Sequence, residues 1–150
     1  MTVKAGFKAA AVWAGCAAVG LAGAAQASEI EVHVTGVVGA RGFVRAQACP
    51  EAVWLKPQCD PWFRVPARAG ESTVLIKDVP PGVYGIVVHH DWDGDGEVKQ
   101  NAFGIPQEGI GFSNDAPTML GAPSFGDAAV TVPPNSRVTL RVRLRFEPRR

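Results

Sequence analysis

Hydrophobic and polar residues alternate along several short segments of the chain, with the two-residue period of a half-buried β-strand. In EIEVHVTGV, residues 29–37, the side chains of Ile30, Val32 and Val34 share one face. RVTLRVRLRF, residues 137–146, alternates in the same way, with arginines on much of its polar face. Further strands are predicted between these two in GFVRAQA, FRVPARA, STVLIKDV, VYGIVVHH and DAAVTV.

About seven short strands, separated by Gly/Pro turns and without a helical period, predict an all-β domain. We expect a single antiparallel, Ig-like β-sandwich over residues 28–150. The segment at 83–90 is apolar on both faces, which is typical of a central strand. Residues 91–125 show no clear strand, and we expect a long ordered loop there, with Phe103 and Phe112 packing on the sandwich.

The first 27 residues have the pattern of a secretory signal peptide. Lys4 and Lys8 supply a positive start, an apolar run of small residues follows, and the run ends at Ala25-Gln26-Ala27, an A-x-A cleavage pattern. WAGC, ending at Cys16, weakly resembles a lipoprotein box and is the alternative interpretation. The pattern predicts a periplasmic or secreted protein without a transmembrane segment in the mature chain.

The charge of the mature chain is close to balanced. Without Lys4 and Lys8, 13 of the 15 Lys and Arg residues remain against 14 Asp and Glu, a formal charge of −1. That balance argues against a nucleic-acid binder. The acids cluster in residues 91–115 and six arginines lie in residues 137–150, which we interpret as a solvated strand face.

Two cysteines remain after removal of the leader, Cys49 and Cys59. An even number of cysteines in an exported chain favours a disulfide. The alternative, a redox or metal-binding pair, needs closer spacing or additional ligands than this pair offers. The sequence therefore predicts a structural Cys49–Cys59 bridge.

HHDWDGDGEVKQN, residues 89–101, places Asp91, Asp93 and Asp95 at alternate positions before Gly96, like the start of a calcium loop. The position of the last ligand of an EF-hand is Ala102, and no helices flank the segment, so it is not an EF-hand. A different Ca²⁺ site would recruit further oxygens, for which the candidates are Glu97, Asn101 and Glu108. The alternative is that Asp and Gly simply form consecutive turns.

Three functional hypotheses remain open. One is a binding or accessory module with an envelope or extracellular partner, using residues 91–125 as its contact surface. In it, His90 and Asn114 organise that segment. The second is a small hydrolase centred on His90 and Ser113, although GFSND lacks the last glycine of a G-x-S-x-G elbow. The third is a secreted domain whose loop only completes its own core. We expect a protein that is not an enzyme, and no cofactor other than the candidate Ca²⁺.

Residues 78–132 carry a resemblance to a known family. VPPGVYGIVVHHDWDGDGEVKQNAFGIPQEGIGFSND, followed by GAPSFGDAAVTV, closely resembles the bacterial DUF2141 family of exported proteins. Where relatives often have Asn-x-Asn-Gly after the His-Asp pair, this chain has Asp93-Gly94-Asp95-Gly96. The resemblance implies export and a small β-sandwich of the prealbumin or carboxypeptidase-regulatory type. The function of the family is unknown, so the resemblance implies no catalytic residues.

We predict cleavage after Ala27, because the A-x-A pattern ends the apolar run. The intact mass of the exported protein should match a chain that begins at Ser28. A diacylglyceryl adduct on Cys16 would show that the lipoprotein interpretation is the correct one.

Overall fold

The computed structural model describes residues 27–118 and 121–146, and these residues are mostly β-strand. The leader predicted over residues 1–27 lies outside the described residues, except for Ala27 at its end. Within the described ranges, no helix has both the length and the apolar character needed to cross a bilayer. The strands are β1 Ser28–Val37, β2 Phe43–Cys49, β3 Phe63–Pro66, β4 Gly70–Val79, β5 Gly82–Asp91, β6 Gly109–Phe112, β7 Ala129–Val132 and β8 Arg137–Arg143.

These strands form two sheets. The first has the order β4-β1-β8, and the second has the order β3-β2-β5-β6, with β7 pairing to the same central strand β5. All pairs are antiparallel except β1 with β8, which run parallel. The prediction of a wholly antiparallel arrangement is therefore wrong at this pair. The chain enters β8 from β7 in the other sheet, so no tight hairpin imposes an antiparallel direction.

The main core lies between the two sheets. Alternate residues of β1, including Ile30 and Val32, face Ile86 and Val88 of β5 across the interior, and all four are fully buried. Burial of apolar side chains on this scale is the main favourable contribution to folding. The all-β prediction is confirmed, and β5 is the central strand that its two apolar faces predicted.

A second apolar cluster covers the outer face of the second sheet. It contains the Cys49–Cys59 disulfide, whose Cα atoms are 5.5 Å apart, together with Val87 and Phe112. The indole of Trp54 lies over this face, and its Nε1 donates to the carbonyl of Pro123 at 3.0 Å. A Cβ at Gly85 would approach Trp54 to 2.3 Å, so only glycine admits the indole there. The predicted disulfide thus holds the loop between Cys49 and Cys59, which carries Trp54, against the outer face of the sheet.

The long segment at 91–125 contains one strand that sequence analysis missed, β6. Its sequence, GIGF, lies within the range for which the sequence predicts a loop, and half of its residues are glycine. A Cβ at Gly109 would lie 2.4 Å from the Phe146 ring, and one at Gly111 would lie 2.6 Å from the Arg143 carbonyl oxygen. These glycines serve close approach rather than turning. The segment also contains the 3₁₀ turn Ser113–Asp115, and a one-turn helix, α1 Phe125–Ala128, begins at its last residue.

Candidate functional site

The candidate site lies where β5 ends, on the outer face of the second sheet. Strand alternation places His89 and Asp91 on this face and turns His90 toward the core between the sheets. The neighbouring strand β2 brings Arg45 opposite His89. His89 and Asp91 are each only 1% exposed, and the side chain of Arg45 is 13% exposed. Burial of so many ionisable groups requires partners for each of them.

Glu108 is the partner of His89. Its side chain is completely buried, and it lies just before β6, next to the end of β5. One carboxylate oxygen, Oε2, accepts from His89 Nε2 at 2.9 Å and from the backbone N–H of Lys99 at 3.1 Å. The other, Oε1, accepts from the backbone N–H of Trp92 at 3.3 Å. A single carboxylate therefore joins the sheet to two points of the segment that follows it.

The hydrogen bond to Glu108 defines the protonation of His89. Nε2 carries the proton that Glu108 accepts, while Nδ1 is buried and has no hydrogen-bond partner among the described residues. Burial lowers the pKa of His89 below its ordinary value of 6.5, and the hydrogen bond to Glu108 opposes that shift only in part. His89 is therefore a neutral donor at neutral pH.

Asp91 begins a tight turn, residues 91–97, which we call the acidic turn. Its Oδ1 accepts from the N–H of Gly94 at 2.8 Å, and its Oδ2 accepts from the N–H of Gly96 at 3.0 Å. Both glycines have positive φ, of 77° and 83°, a conformation that other residues rarely adopt. Arg45 lies 3.7 Å from Asp91 Oδ2 and stacks on the ring of Trp62 at 4.6 Å. Asp91 is thus a turn-forming and ion-paired carboxylate.

The three aspartates of the acidic turn come together in space. One carboxylate oxygen from each of Asp91, Asp93 and Asp95 lies within 4.8 Å of the others. The ammonium of Lys99 forms ion pairs with Asp93 and with Asp95, the latter at 3.5 Å. The chain therefore places its own cation against two of the three carboxylates, which relieves their mutual repulsion.

The other candidate metal ligands are used differently. The carboxylate of Glu108 binds backbone N–H groups and His89, as described above. Glu97 is exposed, and its backbone N–H donates to Asp95 Oδ1 at 2.8 Å. The Asn101 side chain accepts from two backbone N–H groups further along the chain. Sequence spacing brought the aspartates together, but not these three residues with them.

Residues 99–107 fold into a short hairpin, which we call the tip hairpin. The N–H of Gln107 donates to the carbonyl of Lys99 at 2.7 Å. At its end, Asn101 Oδ1 accepts from the N–H groups of Phe103 at 2.9 Å and of Ile105 at 3.1 Å. Phe103 is 87% exposed, the highest exposure of any large apolar side chain among the described residues. The expectation that Phe103 packs on the sandwich is wrong, since the Asn101 turn directs it outward.

His90 and Ser113 do not face each other. His90 Nε2 donates to the carbonyl of Arg41 at 3.0 Å, outside the 91–125 segment. The hydroxyl of Ser113 is buried, donates to the carbonyl of Ala128 and accepts from the N–H of Ile86 at 2.9 Å. Asn114 has φ of 58° and donates to the carbonyls of Asp127 and Ala129. The contacts of Ser113 and Asn114 connect the 91–125 segment to β5 and β7. Neither of the hydrogen bonds given above for the Ser113 hydroxyl involves a histidine.

Sequence analysis did not identify His89 or Arg45 as residues of the candidate site. It named Glu108 only as a candidate metal ligand, and not as the buried partner of His89. Alternation along VYGIVVHH indicated that His89 and Asp91 share a face, which was the available signal for His89. Nothing in the sequence marks Glu108 as buried, since glutamate is rarely found in that state.

Residues 32–140 match the model of a family described as an uncharacterized protein conserved in bacteria, DUF2141. The match covers more than half of the 150 residues. The chain belongs to the DUF2141 family. The matched range includes Arg45, the acidic turn, the tip hairpin and Glu108, so the candidate site lies within the DUF2141 region. No curated protein and no solved structure gives a significant match to the chain.

The lowered pKa of His89 predicts a loss of stability on acidification. An unfolded histidine takes up a proton as the pH falls through about 6.5, whereas the buried one resists it. The unfolded state then binds more protons, so the free energy of unfolding falls below that pH. The slope attributable to this group approaches about 1.4 kcal/mol per pH unit.

His89→Gln provides the comparison, because its amide still donates to Glu108 but does not titrate. Urea unfolding between pH 7.5 and pH 5.0 should show a steeper loss for the wild type than for the variant. Parallel curves for the two proteins would refute the assignment to His89.

Proposed function

We propose that the chain is an exported binding or accessory module of the cell envelope, and that the tip hairpin is its contact surface. The observation that carries this proposal is Phe103, a large apolar side chain exposed at 87% on a hydrogen-bonded turn. Exposed aromatic residues are frequent anchors of protein interfaces. An anchor on an ordered turn loses little conformational entropy on binding, which favours affinity.

The anchoring of the hairpin supports the same proposal. Glu108 accepts from Lys99 at the base of the hairpin and from Trp92 at the start of the acidic turn. The second sheet beneath is packed on both faces, so the support is rigid. Binding residues are commonly carried on loops held by a rigid framework. The partner that suits this surface has an apolar pocket for a phenyl ring and a polar rim.

Two further elements belong to the proposal. The export of the chain rests on the leader pattern of residues 1–27 and on the Cys49–Cys59 disulfide, which suits an oxidising compartment. The finer fold class, a prealbumin-type β-sandwich, rests on two sheets around a common core, with β1 parallel to β8. The hydrolase alternative receives no support from His90 and Ser113, which are committed to other partners.

Replacement of Phe103 by a photo-crosslinking phenylalanine analogue tests the contact surface. The analogue at position 103 should yield a discrete covalent adduct with an envelope component in growing cells. The same analogue at Val83, exposed at the opposite end of β5, is the matched control. Phe103→Ser should change the free energy of unfolding by less than about 0.5 kcal/mol, since the side chain is exposed. Equal labelling at both positions, or none, would contradict the proposal.

A Ca²⁺ function for the acidic turn is a second candidate. It is favoured by the three carboxylates gathered within 4.8 Å, in an exported protein that meets more calcium than a cytosolic one. Lys99 competes for the same oxygens, so affinity is expected to be weak, with Kd on the order of 10⁻⁴ M to 10⁻³ M. With Kd of about 10⁻⁴ M, 1 mM Ca²⁺ would stabilise the fold by about 1.4 kcal/mol.

Lys99→Met should increase that gain, because it removes the competing ammonium and leaves the carboxylates in place. Thermal unfolding with Ca²⁺ and with chelator measures the effect in the wild type and in the variant. Asp93→Asn combined with Asp95→Asn keeps the turn and should abolish the gain. Unchanged midpoints in both the wild type and Lys99→Met, with no heat of binding, would exclude the calcium candidate.

A further inference from the structure

Strand β4 forms an edge of the first sheet with an unpaired side. It extends over ten residues, Gly70–Val79, and pairs with β1 on one side. On its other side the described residues provide no strand partner. An open groove of about 350 Å³ runs beside Glu71, Ser72 and Thr73, and it is also lined by Val65, Pro66 and Arg68. A long edge strand with free N–H and C=O groups is a template for pairing with another strand.

The sequence of β4, GESTVLIKDV, is complementary to itself when read antiparallel. With Val74 at the centre, Glu71 of one copy lies opposite Lys77 of the second copy, and Thr73 lies opposite Leu75. Antiparallel pairing of a strand with its own copy is two-fold symmetric, so the Glu–Lys pair occurs twice. Opposite charges at directly facing positions stabilise a strand pair, and like charges destabilise it.

Both charged side chains are available for this pairing. Glu71 and Lys77 are exposed, and they lie on the outer face of the sheet, opposite to buried Val74 and Ile76. The ammonium of Lys77 has no ion-pair partner among the described residues, and Glu71 is 3.5 Å from the ring of His33. The pairing extends from Glu71 to Lys77, since Asp78 has a positive φ of 56° that interrupts the strand geometry.

The other edge of the same sheet, β8, lacks this complementarity. With Leu140 at the centre of an antiparallel pair, Arg137 of one copy would face Arg143 of the other. A shift by one residue to the centre at Arg141 would place two copies of Arg141 opposite each other. Both arrangements bring like charges together, which disfavours pairing of β8 with itself. The two edges therefore differ in what they can bind.

We propose that β4 pairs with β4 of a second copy of the chain, in the register centred on Val74. The two three-stranded sheets then join into one continuous sheet across the dimer. The interface combines a backbone ladder over Glu71–Lys77 with two symmetric Glu–Lys contacts. This proposal does not depend on the function proposed for the tip hairpin, because the pairing involves residues 71–77 and the tip hairpin comprises residues 99–107.

Charge reversal tests the register. Sedimentation equilibrium of the disulfide-bonded exported chain should show a monomer–dimer equilibrium. Lys77→Glu should weaken the dimer by about tenfold or more, because two attractive pairs become repulsive. Glu71→Lys should do the same, and the double variant, Glu71→Lys with Lys77→Glu, should restore the wild-type dissociation constant. Lys56→Glu, the same charge change at an exposed site of the disulfide loop, is the control and should leave dimerisation unchanged.

Hydrogen exchange gives a second readout that reports on the backbone. Amides within Glu71–Lys77 that face the free edge should exchange more slowly as the protein concentration rises, while those of β8 should not respond. A wild-type chain that is monomeric up to about 1 mM would overturn the proposal. So would a dimer that is indifferent to both single charge reversals, or a double variant that fails to recover.

Discussion

The candidate site depends on the hydrogen bonds that the buried carboxylate of Glu108 accepts. Removal of a carboxylate from water is costly, and the cost is offset only when its oxygens receive several hydrogen bonds. Here one side-chain donor and two backbone donors meet it, from His89, Trp92 and Lys99. Each hydrogen bond to a charged group contributes about 1.5–3 kcal/mol in typical cases. This one side chain therefore fastens the start of the acidic turn and the base of the tip hairpin to the sheet.

The rest of the domain provides the support that Glu108 needs. The second sheet is buried on both faces, by the main core on one side and by the disulfide and Trp54 on the other. Gly111 allows β6 to approach β8 closely, and Gly109 leaves room for the ring of Phe146. The pairing of Gly109 with His90 places Glu108 beside the end of β5. The combination is a rigid sheet that carries a polar, well-bonded segment with an exposed aromatic side chain at its end. Such an arrangement is suited to recognition.

Much of the fold was predictable from the sequence, and the reasons are local. Strict alternation in β1 and β8, and two apolar faces in β5, identified the strands and the central position of β5. The cysteine pair indicated the disulfide. The strand β6 was missed because the sequence alone does not distinguish a glycine that permits close packing from a glycine that permits a turn. The parallel pairing of β1 with β8 was missed because no local pattern records strand direction.

The site was predictable only in part. Alternate spacing brought Asp91, Asp93 and Asp95 together, as the sequence indicated, because a tight turn converges them locally. The role of Glu108 depends on contacts with His89 on β5 and with the backbone N–H of Lys99 at the base of the tip hairpin, which the sequence does not reveal. The outward direction of Phe103 depends in the same way on the amide of Asn101, whose hydrogen bonds override the tendency of an apolar residue to be buried.

We infer that the Glu108 carboxylate holds the acidic turn and the tip hairpin in place against the sheet. Amide hydrogen exchange at Trp92 and Lys99 in Glu108→Leu, a substitution of similar size without an acceptor, tests it most directly. These two amides should exchange at least about tenfold faster than in the wild type, while amides of β1 retain more of their protection. Unchanged exchange at both Trp92 and Lys99 would contradict the claim.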